Sequence, residues 1–267
     1  MSIIEEGRSS RENRSFSVDA PAMLDKLLTE LSQLGQIKGI GFDVFGTILN
    51  GSLNRFDLSA FLSNCVATYY KFKTGKTFSE EEALSLYLEC RESLKDNRSP
   101  LLIGEDNIPA KEQEIQEIVV LEAIAKLLQL DSPDDLISNV QSQWLLSDLQ
   151  HTKAIDGMLD LVKKSVILFG RDRVSVFSNH SFSREHLLAL LRKNQYLSES
   201  MLSEKNVFLS SDFGIKKFGV GLRKPNQLAF REFSAQMLLK PQEVAFIGDS
   251  KHDSIFATNS GGVGILV

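Results

Sequence analysis

The sequence predicts an α/β protein, a doubly wound parallel sheet interrupted after its first strand by a helical domain. Three observations predict it. From about residue 152 onward, short apolar runs alternate with helix-patterned segments, as in a parallel sheet covered on both faces. Residues 56–150 hold several amphipathic helical stretches, with no strand signal between them. The strand-like runs end in polar residues, Asp43, Ser178-Asn179, Ser210-Ser211-Asp212 and Gly248-Asp249, at the end of a parallel sheet where sites form.

In chain order, residues 1–20 are polar, lack periodicity and read as a mobile tail. PAMLDKLLTELSQL, Pro21 to Leu34, has helical apolar spacing with Pro at its start and Gly35 as a stop. Ile37 to Phe42 reads as a strand, broken by Gly46. Helices are expected over 56–72, 79–95, 111–129 and 133–149, the second opened by Ser79 and three glutamates that face the positive end of the helix dipole. Residues 96–109 read as a loop. A helix over 155–164 leads to the apolar run VILF, 166–169. Strands follow at 174–179, 206–211, 243–249 and 262–267, with helices from Phe182 to about Arg192, over 226–238 and after Asp249. The last sheet edge is expected to be short, because the chain stops after GILV. The expected organisation is a tail (1–20), an α/β core (21–52 and 152–267) and a helical domain (53–151).

Composition bounds the function. The 267 residues suit one large domain or a core with an insert, and long enough to bury a sizeable core. Thirty Lys+Arg against 35 Asp+Glu give a net charge of −5, so no nucleic-acid partner is expected. No run of about 18 apolar residues exists, so no membrane partner is expected either. Two cysteines, Cys65 and Cys90, cannot build a disulfide framework or a four-thiolate zinc site. MSIIEEGRSSRENRS lacks the pattern of a secretory signal, and a cytoplasmic protein is expected.

Two acids, a hydroxyl and a lysine are expected to meet in one crevice. The Asp43 carboxylate can attack an electrophilic centre and form a covalent intermediate. Asp43 and Asp249 make an oxygen-rich site suited to magnesium. The Lys224 ammonium and Ser178 hydroxyl can hold an anion, and the backbone after Gly46 and Thr47 offers it N–H groups.

These residues stand in four ordered motifs: Asp43-Val44-Phe45-Gly46-Thr47, Ser178-Asn179, Lys224-Pro225, and Gly248-Asp249-Ser250-Lys251-His252-Asp253. Together they resemble the motifs of the haloacid-dehalogenase-like hydrolase superfamily, over residues 37 to 267. The helical insert resembles that family's cap. The resemblance implies Asp43 as nucleophile and metal ligand, with the Phe45 carbonyl and Asp249 as further ligands and Asp253 supporting the metal shell. It implies Ser178 and Lys224 as phosphoryl-binding residues, with Thr47 orienting the loop. The cofactor implied is Mg2+, and the substrate a small phosphorylated molecule. Gly46, Asn179 and Arg55 are the expected substrate contacts, Arg55 because it follows motif one.

Phe45 departs from the pattern. Phosphatases of this superfamily usually carry there a second aspartate that protonates the leaving group, a step worth ~10²–10⁴ in rate. An aromatic at this place resembles the metal-independent L-2-haloacid dehalogenases, whereas Asp249 and Asp253 resemble a metal site. A third alternative is a weak or inactive member that binds a phosphorylated ligand or a protein. KKFGVGLRKP offers both Lys217 and Lys224, and the following Pro225 and helix select Lys224. Lys73-Thr74-Gly75-Lys76-Thr77 is no phosphate-binding loop, since Tyr70 stands where a glycine is needed. Trp144 reads as core, and His151, His180 and His186 show no metal spacing.

Overall fold

The structure, a computed structural model, describes residues 14–17, 21–33, 35–51, 55–98, 101–103, 106–108, 113–179, 183–213 and 220–267. In chain order the elements are β1 (Arg14–Ser17), α1 (Pro21–Gln33), β2 (Gly39–Phe42), α2 (Arg55–Thr74), α3 (Glu80–Asp96), β3 (Leu101–Ile103), β4 (Asp106–Ile108) and β5 (Gln113–Ile115). There follow α4 (Glu117–Leu127), α5 (Pro133–His151), α6 (Met158–Phe169), β6 (Val174–Ser178), α7 (Arg184–Lys193), β7 (Val207–Leu209) and β8 (Val220–Leu222). The chain ends with α8 (Gln227–Gln236), β9 (Val244–Gly248), α9 (Lys251–Thr258) and β10 (Val263–Leu266).

The main sheet has the order β1-β10-β9-β2-β6-β7, and every pairing in it is parallel. From β2 the chain builds outward through β6 and β7, then crosses to β9 and β10 on the other side. The topological switch point, where such sheets hold ligands, thus lies at the ends of β2 and β9.

Alternation along the strands divides the core. Ile40, Phe42, Val176, Ala245 and Ile247 join one cluster with Leu24 and Leu28 of α1 and Leu190 of α7. Phe177, Val244 and Phe246 point the other way, into Phe230, Phe233 and Phe256 from α8 and α9. Their rings meet mostly edge to face or tilted, as between Phe246 and Phe233 at 5.8 Å. At Gly41 a Cβ would lie 2.5 Å from the Phe246 ring and 2.7 Å from Phe233, so the strand gives up a side chain there.

The helices α2–α5 bury a separate cluster that includes Leu62, Tyr87, Val120, Ile124, Val140 and Trp144. Ser79 caps α3, its hydroxyl accepting from the Glu82 N–H while the Glu82 carboxylate accepts from the Ser79 N–H. The helical unit leaves and rejoins the core through a short ribbon. Asn50 N–H donates to Lys153 O at 2.8 Å and Ile155 N–H to Ile48 O at 3.0 Å. The Tyr196 hydroxyl also donates to Ile48 O, at 2.8 Å. Nearby, His186 of α7 lies 2.8 Å from the Asp148 carboxylate of α5 and edge-on to Trp144.

Several elements differ from the sequence reading. Arg14–Ser17, expected within a mobile tail, forms a strand along β10, so β10 is not the sheet edge. Backbone pairing asks no apolar pattern of its residues, and RSFS gives none. The rest of residues 1–13 and 18–20 lies outside the described residues. The 96–109 loop carries the antiparallel pair β3–β4. The helix expected over 111–129 begins at Glu117, because Gln113–Ile115 pairs antiparallel with β8. Strands of three residues are too short to show a period of two. α6 continues through VILF, with Phe169 buried and Ile167 75% exposed, an amphipathic turn rather than a buried run. Among the described residues no helix is long and apolar enough to cross a membrane.

Gly41→Ala should destabilise the protein by about 1–3 kcal/mol, since the methyl must displace two buried rings. A thermal melt reads this as a fall of several degrees, and an unchanged melt would contradict the packing described.

Candidate functional site

The site is built where β2 and β9 end. Asp43 follows β2, and its N–H continues the ladder by donating to Ile247 O at 2.8 Å. The chain then turns tightly, with Gly46 N–H donating to Leu49 O at 2.8 Å and Ile48 N–H to Val44 O at 3.0 Å. Gly46 sits at φ 86°, and a Cβ there would lie 2.3 Å from the Asp249 carboxylate. Both conformation and space therefore require glycine.

Lys224 is the centre of the cluster. Its ammonium donates to Asp43 Oδ1 and, at 2.5 Å, to Asp253 Oδ1. It also lies over the Phe246 and Phe177 rings, 5.3 and 6.0 Å from their centroids. Lys224 is 4% exposed, Asp43 7% and Asp253 1%. Its backbone N–H donates to Asn179 Oδ1 at 2.8 Å, tying motif three to motif two. Asp253 uses its other oxygen to accept from the Ser250 N–H at 3.1 Å and the Ser250 hydroxyl at 2.5 Å. At Gly248 a Cβ would lie 2.2 Å from the Asp253 Cβ, so this glycine makes room for the acid.

Electrostatics follow from burial. Desolvation pushes the Asp43 carboxyl up to about 6, against the pull of Lys224, and the neighbouring Asp253 adds to the rise. Burial works against the Lys224 charge too, yet Asp43 and Asp253 hold its pKa above the ordinary lysine value. Asp249 is exposed, and its Oδ1 lies 3.5 Å from the Thr47 hydroxyl.

The residues fit a hard divalent cation. Asp43, Asp249 and Asp253 each offer an oxygen, all within 4.8 Å of one another. An all-oxygen donor set suits magnesium. With the acids ionised, three carboxylates against one ammonium leave two negative charges. Asp253 already spends both oxygens on Lys224 and Ser250, which suits it to supporting the site.

Most residues singled out in the sequence come together here. Asp43, Lys224, Asp253 and Asp249 cluster, Thr47 reaches Asp249, Gly46 packs against it, and Asn179 holds the Lys224 backbone. Ser178 is buried at the end of β6. Phe45 is half-buried, packed against the core below the turn. Arg55 opens α2, but its side chain lies outside the described residues, as does Lys217. Sequence reading missed Gly248 and Ser250 as working parts. The signal was a glycine directly before Asp249 and a serine three places before Asp253, the spacing of a capping box.

Without a bound cation, Asp43 makes stability depend on pH. Its folded pKa of about 6 lies above the ordinary 3.8. Its favourable contribution is therefore complete below about pH 4 and is lost as pH rises through about 6. Denaturant unfolding of the wild type in chelator should show this decline between pH 4 and 6, and Asp43→Asn should flatten it. An equal decline in both proteins would contradict the assignment.

Residues 221–267 match the model of the HAD-hydrolase-like family. No curated protein matches the chain. Among solved structures, the chain is similar to a HAD family hydrolase from Deinococcus radiodurans with bound phosphate and sodium. That pair shares 15% identity over 86% of this chain and 80% of the other, with a TM-score of 0.40. It is also similar to a predicted phosphoglycolate phosphatase from Haemophilus somnus, at 16% identity over 86% and 85% of the chains and a TM-score of 0.44. A dehalogenase solved with an intermediate complex aligns at 16% identity over 87% and 85%, with a TM-score of 0.45. The family match spans Lys224, Asp249 and Asp253, which the fold joins to the Asp43 loop.

Proposed function

We propose that this protein is a haloacid-dehalogenase-like hydrolase, a magnesium-dependent phosphatase of a small phosphorylated metabolite, working through an aspartyl-phosphate on Asp43. The observation that carries the reading is the buried Asp43–Lys224–Asp253 bridge with Asp249 beside it. In the reading Asp43, the Phe45 carbonyl and Asp249 hold magnesium, and Asp253 keeps the shell in place. Magnesium, when bound, supplies positive charge to the phosphoryl oxygens. Lys224 and Ser178 hold the transferred phosphoryl group, with Asn179 and the N–H groups after Gly46 around it.

Asp43 attacks phosphorus as the carboxylate, and the bond from phosphorus to the ester oxygen breaks. Water then attacks the acyl phosphate, releasing inorganic phosphate and restoring Asp43. The half-buried Phe45 ring can neither donate nor accept a proton, so the leaving oxygen departs unprotonated. Acidic leaving groups are therefore turned over better than alkoxides. The helical unit α2–α5, entered at residue 53 and left at 151, acts as a cap over the crevice, with Arg55 in the first turn of α2 the expected substrate contact. Buried free thiols at Cys65 and Cys90 accord with a cytoplasmic setting.

Phe45 favours a second reading, a 2-haloacid dehalogenase in which Asp43 displaces halide. Asp249, beside the Thr47 hydroxyl and close to Asp43, weighs against it. Chloride release from 2-chloropropionate, unaffected by chelator, would replace the phosphatase reading with this one.

Hydrolysis of p-nitrophenyl phosphate should require magnesium, stop with chelator, and fall by at least about a hundredfold in Asp43→Asn. Turnover that survives in the variant would sink the covalent mechanism. Phe45→Asp should raise alkyl-phosphate turnover within the ~10²–10⁴ range of a general acid, and leave p-nitrophenyl phosphate little changed. A folded Phe45→Asp variant with no gain would show that the missing acid does not limit the rate.

A further inference from the structure

A second connection joins the helical unit to the core, and it ends two residues from Lys224. β5 pairs antiparallel with β8, matching Gln113 with Leu222, Glu114 with Gly221 and Ile115 with Val220. β5 belongs to the helical unit, where Ile115 is 4% exposed in that unit's own core. β8 belongs to the approach to motif three, where Leu222 is 1% exposed among the phenylalanines under Lys224. The ribbon therefore has one side chain sunk in each core.

The helical end of the ribbon is anchored by a buried charged network. Glu117, two residues after Ile115, is 2% exposed and accepts from both the Tyr87 hydroxyl and the Arg91 guanidinium of α3. Arg91 also reaches the Tyr87 hydroxyl at 3.4 Å. Such a network is costly to bury and holds one geometry when satisfied. It fixes the start of α4, and with it β5, against α3. At the core end, Lys224 is held by Asn179 through its backbone and by Asp43 and Asp253 through its ammonium.

We propose that the β5–β8 ribbon, anchored by Glu117, is a positioning element for Lys224. The helical unit then helps set where the ammonium stands between Asp43 and Asp253, rather than only covering the crevice. The effect on catalysis rests on the reading in which Lys224 holds the phosphoryl group, but the effect on Lys224 itself does not.

The test uses the full chain carrying Gln113→Pro with Glu114→Pro. Alternate residues of an antiparallel strand donate to the ladder, so one of the two prolines removes a ladder bond whichever register is bonded. Glu117→Gln is the second variant. Hydrogen exchange of Gly221 and Leu222 reports whether the ribbon has opened, and exchange of Val244–Gly248 reports whether the sheet is intact. Trace acetylation by acetic anhydride, read by mass spectrometry, reports the exposure of each lysine.

In the wild type Lys224 should be acetylated at least about tenfold more slowly than the exposed Lys26, and severalfold faster in the double-proline variant while the sheet stays protected. Glu117→Gln should move it in the same direction by less. The kcat for p-nitrophenyl phosphate should fall about tenfold with KM within about twofold, because the loss falls on the reacting step. Unchanged Lys224 acetylation in a variant whose ribbon has opened would overturn the proposal. Loss of sheet protection in both variants would overturn it too, since the ribbon would then serve the fold as a whole. A wild type inert towards p-nitrophenyl phosphate would remove the phosphatase reading and leave the acetylation result to decide the ribbon.

Discussion

Everything at this site depends on one ammonium group. Asp43 and Asp253 are buried close together, and two carboxylates in such a place repel each other and resist ionisation. Lys224 between them makes the arrangement tolerable, and they in turn favour the Lys224 charge that burial works against. Neither charge type could be buried there without the other. Removing Lys224 would leave two adjacent buried acids, and removing either acid would leave an ammonium with half its compensation.

The sheet exists to bring these groups together from distant parts of the chain. Asp43 leaves β2, Asp253 sits in the first turn of α9 after β9, and Lys224 arrives just before α8. Two glycines allow the approach, Gly46 against Asp249 and Gly248 against Asp253. Below them Phe177 and Phe246 form an apolar floor under the ammonium, which keeps water from screening the bridge. The aromatic core and the polar site are thus two sides of the same strands, set by a period of two.

The strands and helices that define the sheet were legible in sequence because each buries an apolar pattern long enough to read. VAFIG and VSVFS bury every residue, and LLALL in α7 has a clear inner face. The site residues were legible because they stand at the ends of these runs. Arg14–Ser17 and the short strands β3, β4, β5 and β8 were not. They are held by backbone pairing, which leaves little mark on residue type. Glu117 was also out of sight, since nothing in EIQEIVVLE distinguishes a buried glutamate from a solvated one until Arg91 and Tyr87 come close in space. Gly46 and Gly248 were visible as glycines, but their reason, the room they leave for two acids, needs three dimensions.

The charge balance also weighs between the two hydrolytic readings. With its acids ionised the cluster carries two negative charges in excess of Lys224. A haloacid brings a carboxylate and a phosphate ester brings up to two charges, so either substrate is repelled by the bare cluster. Two like charges ~4 Å apart cost about 4 kcal/mol at an effective dielectric of 20. A dehalogenase without metal would have to accept that penalty while keeping Asp43 ionised as nucleophile, although burial already holds the group at a pKa of about 6. A divalent cation matches the excess and removes the penalty for an anionic substrate. In the proposed reading Phe45 bears on how the leaving group departs, and the acids on how an anion enters. For that reading the acids weigh more heavily than Phe45, because they bring full charges, two of them buried, rather than one absent proton.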